Sequence, residues 1–353
     1  MKSYFKYSTS RFLSVIFQVL LITAHSRVQA QSKYGPSDNW ESHISDPALI
    51  KTSLLKKENN VLSNKDYNRT THKTKDENLR AIKQNENLKS AVDSYNRASY
   101  MYNLGILYYS IGNYQLSLEN LDSCLLLNNE MEEKVGFLKI RLGFDTLYHN
   151  WVTKETEHFI FHFQDTTTED ITIYISKKEE AFNEINSFFN STLPKKIDYY
   201  VWVYPEQAKE ILNHRLSFAN PTLSCVHTQF HSPLGHEMTH IISYNATRIE
   251  YKNKIIIEGI AVYFDFSKMD NINIIRLRTK KPIQIIEVWK NPDSTAEYIQ
   301  YYLGAELVSR LITTFGRKKF LKYFADQSYE HAVEVYGKKL DDMLDKFQYE
   351  LNR

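Results

Sequence analysis

The segment Pro233-Leu234-Gly235-His236-Glu237-Met238-Thr239-His240-Ile241-Ile242 constrains this chain more than any other. In helical surroundings His236 and His240 stand one turn apart on one face, so both imidazoles can occupy neighbouring positions on one tetrahedral zinc ion. Glu237 cannot ligate beside them, but it is placed to accept a proton from a water on that ion, whose pKa zinc lowers from 15.7 to about 7.

A third ligand is offered by Lys254-Ile255-Ile256-Ile257-Glu258-Gly259-Ile260-Ala261-Val262-Tyr263-Phe264-Asp265, an apolar helical stretch with one carboxylate inside it. Glu258 follows His240 by 18 residues, enough for one helix to end and a second to return after a loop from Asn245 to Lys252. A surface role for Glu258 fits poorly with apolar neighbours on both sides. Two histidines and one glutamate leave the fourth zinc position open, the composition of a catalytic site holding one ion.

The rest of the chain must support such a site. Residues 1–30 carry Lys2, Lys6 and Arg11, an apolar run from Phe12 to Ala24, and Val28-Gln29-Ala30, the pattern of an export signal cleaved after Ala30. The run of 13 residues falls short of the roughly 20 needed to span a bilayer, so no stable membrane span is expected after cleavage. Export implies a periplasmic or secreted protein.

Of 44 basic and 42 acidic residues, four basic ones lie in the signal, leaving 40 against 42 and no electrostatic footprint for nucleic acid. Only 10 glycines occur, and no phosphate-binding loop or dinucleotide fingerprint is present. Cys124 and Cys225 read as separate buried thiols.

Four regions follow in order. Residues 31–76 are polar and read as a linker. Residues 77–150 turn helical, and Leu104-Gly105, Tyr108, Gly112-Asn113-Tyr114, Ser117, Leu121 and Cys124 follow the spacing of a tetratricopeptide repeat, with Met101 and Asn129 as departures. Gly105 and Ser117 let two helices approach closely, with Leu104, Tyr108, Leu121 and Leu125 expected to fill between them. Flanking helices over Glu77–Ser94 and Met131–Gly143 are expected to cover the hairpin.

From Trp151 the pattern becomes that of an α+β domain extending over residues 151–353. Strands are expected over Glu157–Phe163, Ile197–Tyr204 and Thr222–Gln229, with an amphipathic helix through Ala181, Phe182, Ile185, Phe188 and Phe189 and another starting at Pro205. His158 and His162 lie on a strand, about 13 Å apart, too far to share an ion. His227 and His231 are expected to line the cleft or cap the strand end.

His236, Glu237, His240, Glu258 and the run Glu258 to Asp265 resemble the gluzincin metallopeptidases of the thermolysin-like clan, and the whole arrangement is similar to bacterial peptidase-MA-like domains found beside tetratricopeptide repeats. The resemblance covers about Trp151 to the C-terminus. It implies a thermolysin-like zincin fold (a mixed sheet, an active-site helix and a helical C-terminal part) with His236, His240 and Glu258 as zinc ligands and Glu237 as general base. Asp265 matches a position where many members keep an acid, in the manner of a partner to a histidine ligand. The run Tyr301 to Gly316 looks like the helix that closes the site, with Tyr301 as oxyanion donor and Tyr298, Tyr302 and His331 as substitutes.

Family members bind substrate backbone by strand addition, which nominates Thr222–Gln229 as a docking edge. No G-x-M-E-N motif precedes the zinc helix, which disfavours aminopeptidases built on it. The expected function is an exported zinc peptidase acting on peptides or proteins. The alternatives are a binding or assembly module working through protein partners of the repeat-like helices, and a zinc hydrolase of non-peptide bonds.

Overall fold

The computed structural model describes residues 74–89, 94–166, 170–267, 269–279 and 281–353. The export signal (1–30) and nearly all of the polar linker (31–76) lie outside these residues. The architecture is α+β, with most residues in helices around one small mixed sheet. Among the described residues no helix is long and apolar enough to cross a membrane.

Among the described residues four α-helices come first: α1 (Lys75–Lys89), α2 (Ser94–Ser110), α3 (Tyr114–Leu127) and α4 (Glu132–Arg141). The expected hairpin of α2 and α3 is present. Gly112 turns with a φ of +82°, and the Asn113 side chain caps α3 by accepting from the Leu116 amide. The Ser117 hydroxyl donates to the Gly105 carbonyl at 2.6 Å, and a Cβ on Gly105 would strike Leu121. Leu104 and Tyr108, however, do not fill the space between α2 and α3. They pack toward α1, where Leu104 clusters with Ile82 and the Tyr108 hydroxyl donates to Glu86.

The sheet has the order β1-β2-β3-β5-β4, built from β1 (Val152–Glu155), β2 (Phe159–Phe163), β3 (Ile197–Trp202), β4 (Phe218–Asn220) and β5 (Cys225–Gln229). Helix α5 (Ile171–Phe189) is the crossover between the parallel strands β2 and β3, and α6 (Pro205–Leu212) follows β3, with Pro205 in its first turn. Two expectations change here. A short antiparallel strand, β1, precedes β2 although its residues lack an apolar alternation. Thr222–Gln229 is neither one extended piece nor an edge: Pro221–Leu223 is a short 3₁₀ turn, and β5 lies inside the sheet between β3 and β4. On that side the edge strand is β4.

Alternation along the strands divides the sheet into two buried faces. Phe159, Phe161, Phe163, Ile197, Tyr199, Val201 and Val226 join the larger core with α5, the motif helix α7 (His236–Ala246) and the C-terminal helices. The opposite face presents Tyr200, Trp202, Phe218 and Cys225 to Tyr102, Tyr109, Cys124, Val135 and Leu138 of the first helices. The repeat-like unit is therefore a layer of the core, and the 150/151 boundary runs through an aromatic cluster of Tyr148, Trp151, Tyr200 and Trp202. Both cysteines are buried free thiols in this cluster.

Polar groups lock the two layers in register. His162, Tyr200, His227 and Phe218 stand opposite one another on four strands with rings stacked at 4.4, 4.6 and 5.2 Å. Trp202 Nε1 donates to His227 Nδ1 at 3.1 Å, so Nε2 carries the proton and donates to the Arg141 carbonyl at 2.9 Å. His227 thus ties α4 to the sheet and does not line a cleft, and burial pushes its pKa down to about 3. Asp198, buried on the same face, ion-pairs with Lys195 and accepts from the Tyr114 hydroxyl of α3 at 3.0 Å.

This arrangement makes removal of the helical layer costly, because a large aromatic face would meet water. A fragment of residues 151–353 is expected to aggregate or unfold without cooperativity, whereas residues 75–353 should unfold in one transition. Size-exclusion chromatography and thermal denaturation of the two fragments test this. A soluble shorter fragment with the longer one's melting temperature would contradict it.

Candidate metal centre

Helix α7 begins at His236 because the chain arrives through a tightly packed turn. A Cβ on Gly235 would run into Phe264 and Phe266, the Leu234 amide donates to the Asp265 carbonyl at 3.3 Å, and Thr239 Oγ1 donates back to the Gly235 carbonyl at 2.8 Å. Met238, Ile241 and Ile242 on the opposite side of α7 are buried in the core, which turns His236 and His240 outward together.

Helix α8 (Lys254–Tyr263) is pinned at its start by Asn253. The Asn253 side chain accepts from the Ile255 amide at 3.1 Å and donates to the Trp289 carbonyl at 2.7 Å, while its amide donates to Gln327 at 2.9 Å. Farther along, Gly259 meets Gly304 of α11 (Glu297–Phe315). A Cβ on Gly259 would stand 2.8 Å from Gly304 Cα, and one on Gly304 would stand 3.0 Å from Gly259 Cα and closer still to the Ile255 carbonyl oxygen. This backbone-to-backbone crossing brings Glu258 and Tyr301 to the same place as the two histidines.

His236, His240 and Glu258 offer ligand atoms that all lie within 4.8 Å of one another. Glu258 Oε2 is 3.5 Å from His236 Nε2 and 3.7 Å from His240 Nε2. Two ligands on a tetrahedral zinc stand about 3.4 Å apart. Among the described residues Glu258 Oε2 is buried without a hydrogen-bond partner, an acceptor of the kind that a cation would satisfy. The donor set and its spacing therefore fit one zinc ion.

Burial competes with neighbouring charges throughout the site. It lowers the His240 pKa to about 4, favouring the neutral imidazole that a metal needs, against the opposing charge of Glu258. At His236 burial acts downward too, but Glu258, Glu237 and Asp265 outweigh it and raise the pKa. Glu258 is held low because the histidines outweigh its burial. Glu237, almost wholly inside, is pushed up to about 7 by burial, with the charge of Lys178 among the influences opposing that rise.

Of the oxyanion candidates, Tyr301 lies against this cluster. Its ring lies 5.7 Å from that of His236, and burial with the charges of Glu258, Glu297 and Glu237 raises its pKa, so its phenol remains a donor. Tyr298 instead donates to the Arg278 carbonyl, Tyr302 packs at the margin of the core, and His331 of α13 (Tyr329–Tyr336) engages Glu334 and stacks on Tyr323. Asp265 is buried and acts on His236 through its charge, while its carboxylate accepts from the Ser267 amide at 2.7 Å.

One residue near the site goes beyond the motif reading. Lys178 of α5 is 1% exposed and donates to the carbonyls of Leu234 and Pro233 at 2.7 and 3.3 Å. Burial lowers its pKa to about 7, opposed by Glu237. Its signal was legible: Lys178 sits three and four residues before Ala181 and Phe182, on the apolar stripe of the helix, where a lysine breaks the pattern. The chain matches no protein-family model and no curated protein sequence.

Two measurements test the site. Metal analysis after zinc loading is expected to give one ion per chain, lost in His240→Ala and Glu258→Ala, and zinc at a hundred times its Kd should add about 2.7 kcal/mol to stability. Gly304→Ala forces α8 and α11 apart. It should cost about 2 kcal/mol or more in denaturant titrations and weaken zinc binding, although no ligand is altered.

Proposed function

We propose that this chain is an exported zinc-dependent peptidase of the gluzincin type, with a thermolysin-like catalytic unit. The observation that carries the reading is the convergence of three ligand atoms, one of them a buried orphaned carboxylate oxygen, with Glu237 beside them and Tyr301 against His236. The export part rests on the pattern of residues 1–30.

His236, His240 and Glu258 would hold the ion. Zinc bound there supplies Lewis acidity, favouring ionisation of water and polarising a substrate carbonyl. Glu237 takes the proton from the attacking water and delivers it to the departing amine. Its buried setting, which pushes its pKa up to about 7, matches a group that must both accept and release a proton near neutrality. Tyr301 donates a hydrogen bond to the oxygen on which negative charge develops.

An extended peptide is expected to approach along β4, the edge strand beside α7, through main-chain hydrogen bonds that do not depend on its side chains. A binding module without turnover is less well supported. It has no use for an acid buried beside the ligands, and one face of its repeat-like helices is committed to the sheet.

Zinc-loaded protein should cleave members of a peptide library. Glu237→Gln should lower kcat by about a thousandfold with zinc content unchanged, and Tyr301→Phe by about a hundredfold with little change in KM. Full activity in Glu237→Gln would exclude this mechanism.

A further inference from the structure

The loop of residues 247–253 joins the helix that carries His240 to the helix that carries Glu258, so its path fixes where the third candidate ligand stands. Within it the chain runs alongside a distant segment, residues 325–327, between α12 (Arg317–Tyr323) and α13. The Glu250 amide donates to the Ala325 carbonyl at 2.7 Å, the Gln327 amide to the Tyr251 carbonyl at 3.1 Å, and the Asn253 amide to Gln327 Oε1 at 2.9 Å. Tyr251 and Asp326 pair there as an isolated parallel bridge.

Gln327 is fully buried, and its polar groups meet partners on every side. Its Nε2 donates to the Phe324 carbonyl at 3.2 Å, and its own carbonyl accepts from the Tyr323 hydroxyl at 2.9 Å and from Trp289 Nε1 at 3.3 Å. The Trp289 carbonyl, in α10 (Ile285–Lys290), accepts in turn from the Asn253 side chain. Asn253, Trp289 and Gln327 are therefore bonded pairwise in a closed triangle, each at most 2% exposed. An apolar side chain at position 327 would fill the same space without taking an amide out of water. What the amide adds is direction. It accepts from the residue whose side chain caps α8, and Glu258 stands five positions beyond that residue, about one and a half turns along the helix.

We propose that Gln327 is the positioning residue of Glu258: by holding Asn253 it sets the start and rotation of α8, and so the place of the Glu258 carboxylate opposite His236 and His240. The inference rests on the metal-site reading and extends it, because it gives the segment after α12 a part in zinc affinity although none of the three candidate ligands comes from it.

Gln327→Met keeps most of the volume and removes both side-chain hydrogen bonds. Its zinc affinity, measured by competition with a chelator well below the melting temperature, should fall at least tenfold, the scale of loss for residues that orient metal ligands. Tyr200→Phe serves as the control, since it removes a buried hydrogen bond to the Leu142 carbonyl on the far face of the sheet. It should lower the melting temperature and leave zinc affinity within twofold. Unchanged affinity in Gln327→Met, or equal losses in the two variants, overturns the proposal. If Gln327→Met does not fold, Gln327→Asn, one methylene short of Asn253, takes its place.

Hydrogen exchange of the zinc-free protein supplies a second readout. The amides of Ile255, Ile256 and Ile257, which all donate to Asn253, should exchange at least tenfold faster in Gln327→Met, with those of Ile241 and Ile242 in α7 within twofold of wild type. Equal acceleration in both helices, or none in α8, overturns the positioning role. Failure of the wild type to take up zinc would instead refute the metal-site reading, and exchange alone would then decide whether Gln327 sets the start of α8.

Discussion

Where α8 crosses α11, Gly259 and Gly304 bring two backbones so close that neither position has room for a Cβ. Residues adjacent to a close helix crossing inherit its precision, because the backbone near the contact cannot shift without collision. Glu258 directly precedes one glycine, and Tyr301 lies one turn before the other. The third candidate ligand and the tyrosine that approaches His236 are thus positioned by the same contact, although they stand 43 positions apart in the chain. The two histidines need no such device, since a single helix sets their separation.

The sheet gives this crossing a foundation. One face carries α5 and α7, and the other is covered by the N-terminal helices. A sheet of five short strands cannot bury both faces by itself. Covering by α2 to α4, with His227, Tyr200 and Asp198 as polar ties, leaves β3 buried on both sides along its length and makes it a rigid floor for α7. The repeat-like helices therefore support the site from the far side of the sheet.

Burial also sets the chemistry. The same exclusion of water that favours a neutral His240 raises the pKa of Glu237 and makes the ammonium of Lys178 expensive to hold. Opposed charges inside one apolar shell restrain each other's shifts, so Glu237, Lys178, His236 and Glu258 form a coupled group.

Much of this was legible in the residue order. The spacing of His236, Glu237 and His240, the apolar setting of Glu258, the α2–α3 hairpin and the strand that separates His158 from His162 all follow from local periodicity, which a single segment carries within itself. What resisted reading was pairing between distant segments. Strand β1 has no apolar alternation and exists because β2 offers it an edge; β5 is interior because the three-residue β4 closes over it; and Leu104 and Tyr108 turn toward α1 because the sheet occupies the other side of the hairpin. In the same way the sequence alone determined which residues are able to ligate a metal and on which helices they stand. Only the tertiary structure decided that Tyr301, rather than Tyr298 or His331, meets His236, and that Lys178 reaches the carbonyls of the turn before α7, because both depend on close packing between helices far apart in the chain.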